Sequence, residues 1–129
     1  MTGTGQKRAM AEERTEESCL FCKLRDGGIP AAVVHRDEHV LAFNDISPKA
    51  PFHLLVIPLR HIASLSDAGP ADAQLLGHLM LTGARLAKEA GFGPTGYRVV
   101  MNAGKDAGQT VHHIHLHVLG GRALAWPPG

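Results

Sequence analysis

Apolar positions along this chain gather into short runs set off by polar, glycine or proline breaks, and one longer stretch keeps a helical period. Residues 1–18 carry mixed charges and no apolar period, which predicts a flexible N-terminal arm. Residues 19–26 suit a short helix with Leu20 and Leu24 on one face, and "GGIP" ends it. "AAVVHRD" and "HVLAFND" are β-branched or aromatic runs around a polar turn, the pattern of a hairpin. After the two prolines of "SPKAP", "HLLVIP" is a continuous apolar run closed by Pro58, which predicts a buried strand. Pro70 and Gly91 bracket the one long helix, whose stripe is Leu75, Leu76, Leu79, Met80, Leu86, Ala87 and Ala90. "YRVVMN" and "VHHIHLHVL" predict two further strands, joined by the loop "AGKDAGQ". The order helix–β–β–β–helix–β–β predicts a single α+β domain over 19–129, with a mostly antiparallel sheet and one main helix on a face.

Composition narrows the function classes. At 129 residues with 44% hydrophobic content, the chain can bury a core without disulfide staples. A formal charge of +1 gives no global reason to bind nucleic acid or a membrane surface. No apolar run approaches the roughly 20 residues of a membrane helix, and the N-terminus lacks the apolar centre of a signal peptide. A cytoplasmic location is the expectation. There Cys19 and Cys22, in "CLFC", read as a redox dithiol or as half of a metal site. Polar sequence precedes them, where a redox motif would want a strand.

The last strand carries the chemistry. Four of the nine histidines fall between His112 and His117. In a strand, alternate residues share a face at roughly 6.5–7 Å per step. His113, His115 and His117 therefore share one face, and Ile114, Leu116 and Val118 share the other. Such a row can ligate a metal with an open position, or one imidazole can attack an electrophile while the others support it. Spacing does not choose between these. The preceding loop holds Asn102, Gln109, Thr110 and glycines whose backbone amides can nest an anion, which favours phosphoryl chemistry.

"HIHLHVL", from His113 to Leu119, resembles the signature of the histidine triad family, in which three histidines alternate with apolar residues. "LAFNDISPKAPFHLLVIPLRHI", "LLGHLM", "GYRVVMNAGKDAGQT" and "HVLGGRALAWPPG" resemble its Hint branch, so the likeness runs over residues 19–129. The resemblance implies a five-stranded antiparallel sheet, joined into ten strands in a homodimer. It implies a hydrolase or transferase acting on purine nucleoside 5′-phosphoramidates such as AMP-amines, or on acyl-phosphates, without a cofactor in the chemistry. His115 corresponds to the nucleophile, His117 to a hydrogen-bond donor on the same face, and His53 to a fourth, supporting histidine. Thr110 stands where the family usually has serine and can still assist the leaving group.

Asn102 and the backbone of Gly108 and Thr110, with Gln109 between them, resemble the phosphate cradle. Asp45 resembles the ribose carboxylate, and Leu20, Phe21, Phe43 and Ile46 resemble the slot around the base. Asn44 occupies a position that is often histidine. Trp126 reads equally as interface packing or as part of a partner subunit's pocket. "CLFC" resembles members that bind structural zinc; the implied ligands are Cys19, Cys22, His61 and His113. Two other functions stand beside the enzyme reading: a nucleotide-binding interaction module with little catalysis, and a zinc-centred hydrolase using the histidine row.

Overall fold

A computed structural model describes residues 15–129. The predicted arm falls outside the described residues except for 15–18, an exposed turn. Helix α1 (Leu20–Arg25) is followed by β1 (Val33–Arg36), β2 (Val40–Asn44) and β3 (Phe52–Pro58). Helix α2 (Ala73–Glu89) comes next, then β4 (Tyr97–Val100) and β5 (Leu116–Gly120). The five strands form one antiparallel sheet in the order β1-β2-β3-β5-β4. The α+β class and the five-stranded antiparallel sheet thus hold. Among the described residues no helix is long and apolar enough to cross a membrane.

Strand periodicity sorts the core into two layers. Val40, Ala42, Leu54, Val56, Ile114, Leu116 and Val118 face α2, where Leu79, Leu86 and Ala87 meet them. Leu41, Phe43, Leu55 and Ile57 face the other way, onto Cys19, Phe21 and Cys22 of the α1 region. "HLLVIP" is apolar throughout because β3 is covered on both sides. The α2 stripe is narrower than expected: Met80 is 52% exposed, and Ala90 caps the helix in solvent. Its contact with the sheet centres on Gly83 instead, where a Cβ would lie 2.9 Å from Val118 Cγ2 and 3.2 Å from Leu116 Cδ2. Gly83→Val should therefore lower stability by about 1–3 kcal/mol through overpacking, read as a shifted denaturation midpoint with unchanged slope.

Helix α1 also departs from expectation. Leu20 is 45% exposed, and the buried face is Phe21 with Cys22. Gly27 ends the helix at φ +82°, a conformation glycine adopts without cost.

The last strand is shorter than its sequence suggests. Ladder pairing begins at Leu116, so His112, His113 and His115 precede it. In the β3–β5 register Leu54 opposes Val118 and Val56 opposes Leu116. The next pair would set Ile114 against Pro58, which has no N–H to give. The Ile114 N–H instead donates to the Ile62 carbonyl at 2.8 Å. The alternation survives nonetheless, because Ile114, Leu116 and Val118 all enter the α2-side core.

Candidate active site and metal centre

The three alternating histidines lie on the α1 side of the sheet and divide between two clusters. His113 is fully buried and joins Cys19, Cys22 and His61. His117 joins His53 and Asp45. His115 lies between, its ring centroid 5.1 Å from that of His117 and 5.1 Å from that of Phe21, which meets it edge-on.

Hydrogen bonds fix which nitrogen of each ring carries the proton. His115 Nδ1 lies 2.8 Å from the His113 carbonyl, which can only accept. The proton is therefore on Nδ1, and Nε2 keeps a bare lone pair. The Lys49 backbone N–H donates to His53 Nδ1 at 2.9 Å. His53 must then carry its proton on Nε2, which donates to His117 Nδ1 at 2.9 Å. That leaves His117 with its proton on Nε2. A basic nitrogen and an N–H donor thus sit on neighbouring rings, the pairing that a nucleophile and a leaving-group donor require.

Electrostatics keep these rings neutral. Burial lowers His115 below the usual imidazole range, against the opposing pull of the His113 carbonyl and Asp45. Burial, with help from His115 and His53, pushes His117 down to about 4. His53 is lowered mainly by burial too.

The second cluster has the donor chemistry of a closed metal site. His113 Nε2 donates to the Pro58 carbonyl at 2.8 Å, so its Nδ1 is bare. That atom lies 3.3 Å from Cys19 Sγ, 3.4 Å from Cys22 Sγ and 3.3 Å from His61 Nδ1. Cys22 Sγ is 3.3 Å from His61 Nδ1. Tetrahedral zinc holds nitrogen and sulfur ligands with mutual separations of about 3.3–3.8 Å, and the four side chains fit that cage. Burial, with the neighbouring Cys19, pushes the Cys22 thiol up to about 12; a bound cation would offset this by ionising the thiol. Burial likewise pushes His113 down to about 4, which keeps its lone pair available.

The remaining expected residues surround this row unequally. Asp45 accepts from the Ser47 N–H at 2.8 Å through Oδ1, and its Oδ2 lies 3.4 Å from His53 Nε2. Phe21 and Phe43 are buried and meet edge-on at 5.6 Å, making an apolar wall beside His115. Leu20, Asn44 and Ile46 are exposed, Ile46 completely. Thr110 is exposed and Asn102 half-buried. Trp126 is 81% exposed and makes no ring contact with the site histidines among the described residues. Its tail is pinned beside β4, where Arg98 donates to the Ala125 carbonyl at 3.0 Å.

Two expectations within the anion loop change. Gln109 is buried, and its side chain is occupied internally. It accepts from the Gly104 N–H at 3.0 Å and donates to the carbonyls of Ala63 and Val111 at 2.7 and 3.0 Å. It braces the loop instead of offering a ligand contact. Gly108 donates its N–H to the Lys105 carbonyl at 3.0 Å, so its contribution is the positive φ of +85° that turns the chain toward Thr110.

Sequence reading missed Lys49, whose backbone sets the His53 tautomer; its place four residues before a histidine is no signal by itself. It also missed a cluster at the far edge of the helix layer. There the Asp37 carboxylate accepts from His35 and His78 at 2.8 Å each, tying the β1–β2 turn to α2. A cavity of about 540 Å³ lies on that side, lined by His39, Arg60, Gln74 and His78 among others. Its lining includes none of the alternating histidines.

The HIT domain family model matches residues 26–124. The chain belongs to the HIT domain family. A HIT-like protein of Synechococcus elongatus is 50% identical over 113 residues, which is 88% of this chain and 98% of that protein. The crystal structure of a HIT family hydrolase from Legionella pneumophila Philadelphia 1 is similar at TM-score 0.85 and 50% identity, covering 86% of this chain and 99% of that one. A zinc-bound histidine triad family protein from Mycobacterium smegmatis is similar at TM-score 0.72 and 37% identity, covering 84% and 78%. Family membership accounts for the shared fold; the chemistry must be argued from the side chains.

Proposed function

We propose that this protein is a nucleotidyl hydrolase or transferase that cleaves the P–N bond of purine nucleoside 5′-phosphoramidates through a covalent intermediate on His115. One observation carries the reading: His115 holds its proton on the nitrogen facing the His113 carbonyl, leaving Nε2 bare beside an N–H donor on His117. His115 Nε2 attacks the α-phosphorus as the P–N bond breaks. The His117 Nε2–H donates to the departing nitrogen, and Thr110 assists it. Water then attacks the phosphorus and releases the nucleoside monophosphate. Asn102 and the Thr110 backbone hold the phosphoryl oxygens. Asp45 receives the ribose hydroxyls, and Phe21 and Phe43, with Leu20 and Ile46, line the base slot beside Asn44. An acyl-phosphate would follow the same path. The hydrolase description of the Legionella relative supports the reaction class.

Cys19, Cys22, His61 and His113 would hold zinc as a structural clamp in this reading, with the metal tying these segments together and taking no part in the reaction. The zinc-bound Mycobacterium relative supports that assignment. The division of the histidine row argues against one metal centre spanning it. The proposed working form is a cytoplasmic homodimer. Strand β4 ends the sheet on one side, so pairing two copies there would give ten strands.

Rapid acid-free quenching during turnover of adenosine 5′-phosphoramidate should trap one AMP on His115, located by peptide mass mapping. A trapped adduct on any other residue, or turnover with no adduct and retained stereochemistry lost, would overturn the mechanism. The same reading sets a pH profile. His117 is held at about 4, so the neutral donor persists well below the ordinary imidazole value near 6.5. The acid limb of kcat/KM belongs to His115, whose bare Nε2 must stay unprotonated; burial lowers that ring, so the limb should lie below the ordinary imidazole value near 6.5. Stability has the same sign: the unfolded chain binds the extra proton between about 4 and 6.5. His117 therefore costs the fold stability as pH falls through that window.

A further inference from the structure

We propose that Cys19 and Cys22 form a peroxide-sensitive redox site that ejects its metal as a disulfide and thereby loosens the catalytic row. The effect on turnover rests on the function proposed above; the disulfide and the metal release do not. The two thiols are the N-cap and third residue of α1. The Cys22 N–H donates to Cys19 Sγ at 3.2 Å, and both sulfurs belong to a cluster whose ligand atoms all lie within 4.8 Å of one another. A three-residue separation at a helix start brings the Cα atoms within the span that a disulfide bridges. Both cysteines are free and buried, so the oxidant must be small or reach them as the end of a six-residue helix opens.

In the metal-bound state both sulfurs are thiolates. One attacks a peroxide oxygen, breaking the O–O bond and forming a sulfenic acid as hydroxide leaves. The second sulfur attacks the first, forming the S–S bond and expelling the remaining hydroxide. Two protons complete two waters, so two thiolates lose two electrons to one hydrogen peroxide. The divalent ion loses two of its four donors and departs. His61 and His113 alone do not make a closed zinc site.

The consequence reaches the reacting ring through two contacts. His115 donates from Nδ1 to the carbonyl of His113 itself. Phe21, between the two cysteines, stands edge-on to both His113 and His115, at centroid distances of 6.1 and 5.1 Å. Releasing His113 and shifting α1 removes the support that sets the His115 ring. Loss of such outer support typically costs 10–100-fold, and about a tenfold fall in turnover is expected here.

The test uses the full chain carrying zinc. Hydrogen peroxide is added in steps while a chromophoric chelator reports released metal and intact mass reports oxidation. The expected result is one zinc per chain released in step with loss of two hydrogens, a Cys19–Cys22 peptide link, and recovery of zinc binding after a thiol reductant. Cys22→Ser should form no such link. Zinc retained at peroxide levels that oxidise free cysteine, sulfinic products in place of the disulfide, or purified chains that bind no zinc would each overturn the redox site. Disulfide and zinc release with unchanged turnover would overturn the coupling to His115. If turnover is absent in both redox states, the catalytic reading fails while metal release still decides the redox site.

Discussion

Replacing His115 with Ala is expected to reduce turnover of adenosine 5′-phosphoramidate by about 10⁴-fold or more, with AMP binding retained. Such a loss corresponds to about 5.5 kcal/mol of transition-state stabilisation, too much for a lost packing contact. It reflects removal of the only nitrogen in the row that is both bare and clear of other ligands. His113 aims its bare nitrogen at two sulfurs and His61, and His117 turns its bare nitrogen toward His53. His117→Ala removes a proton donor, a role usually worth 10²–10⁴-fold, so its loss should be the smaller of the two. A nucleophile substitution must also abolish the trapped adduct, whereas the donor substitution slows its formation. AMP binding by calorimetry separates a chemical defect from unfolding. Turnover within tenfold of the parent in His115→Ala, with binding intact, would remove the covalent mechanism and favour activation of water by another group.

Much of this was legible along the chain because the fold obeys local periods. A sheet covered on both faces needs an unbroken apolar run, and "HLLVIP" has one. The last segment must alternate, and it sends Ile114, Leu116 and Val118 to one side while its rings go to the other. What failed to show were features decided by a distant partner. Pro58 cuts the β3–β5 ladder short because it opposes Ile114, 56 positions away, and no local pattern marks that pairing. The outward turn of Leu20 depends on which α1 face the two cysteines must present to His61 and His113. Gln109 looked available for a ligand because amides in glycine-rich loops often are. Its three bonds to Gly104, Ala63 and Val111 exist only once residues 62–64 fold back against the loop. Tautomers are similarly invisible before folding, since each depends on one carbonyl or amide brought in from elsewhere.

Stripping metal with a strong chelator at neutral pH should lower the melting temperature by about 10–20 °C, and the argument for that size is topological. The four donors come from the start of α1, the segment after β3 and the segment leading into β5, and they join positions 94 residues apart. A covalent link closing a loop of that length would be worth about 4–5 kcal/mol of denatured-state entropy. A metal clamp of comparable reach is expected to supply about 3–4 kcal/mol by the same model, and a domain of this size shifts by about 3–6 °C per kcal/mol. Strand pairing and the α2 contact with the sheet do not involve these residues, so the apo chain should remain folded, with α1 the first element to exchange its amides. Turnover should fall about tenfold without vanishing, because His115 contributes no ligand to the cage. Cys22→Ser should start from the lower melting temperature and show no further response to chelator. Complete loss of activity in a chain that stays folded would instead place the metal in the reaction, and an unmoved melting temperature would show that the cage holds none.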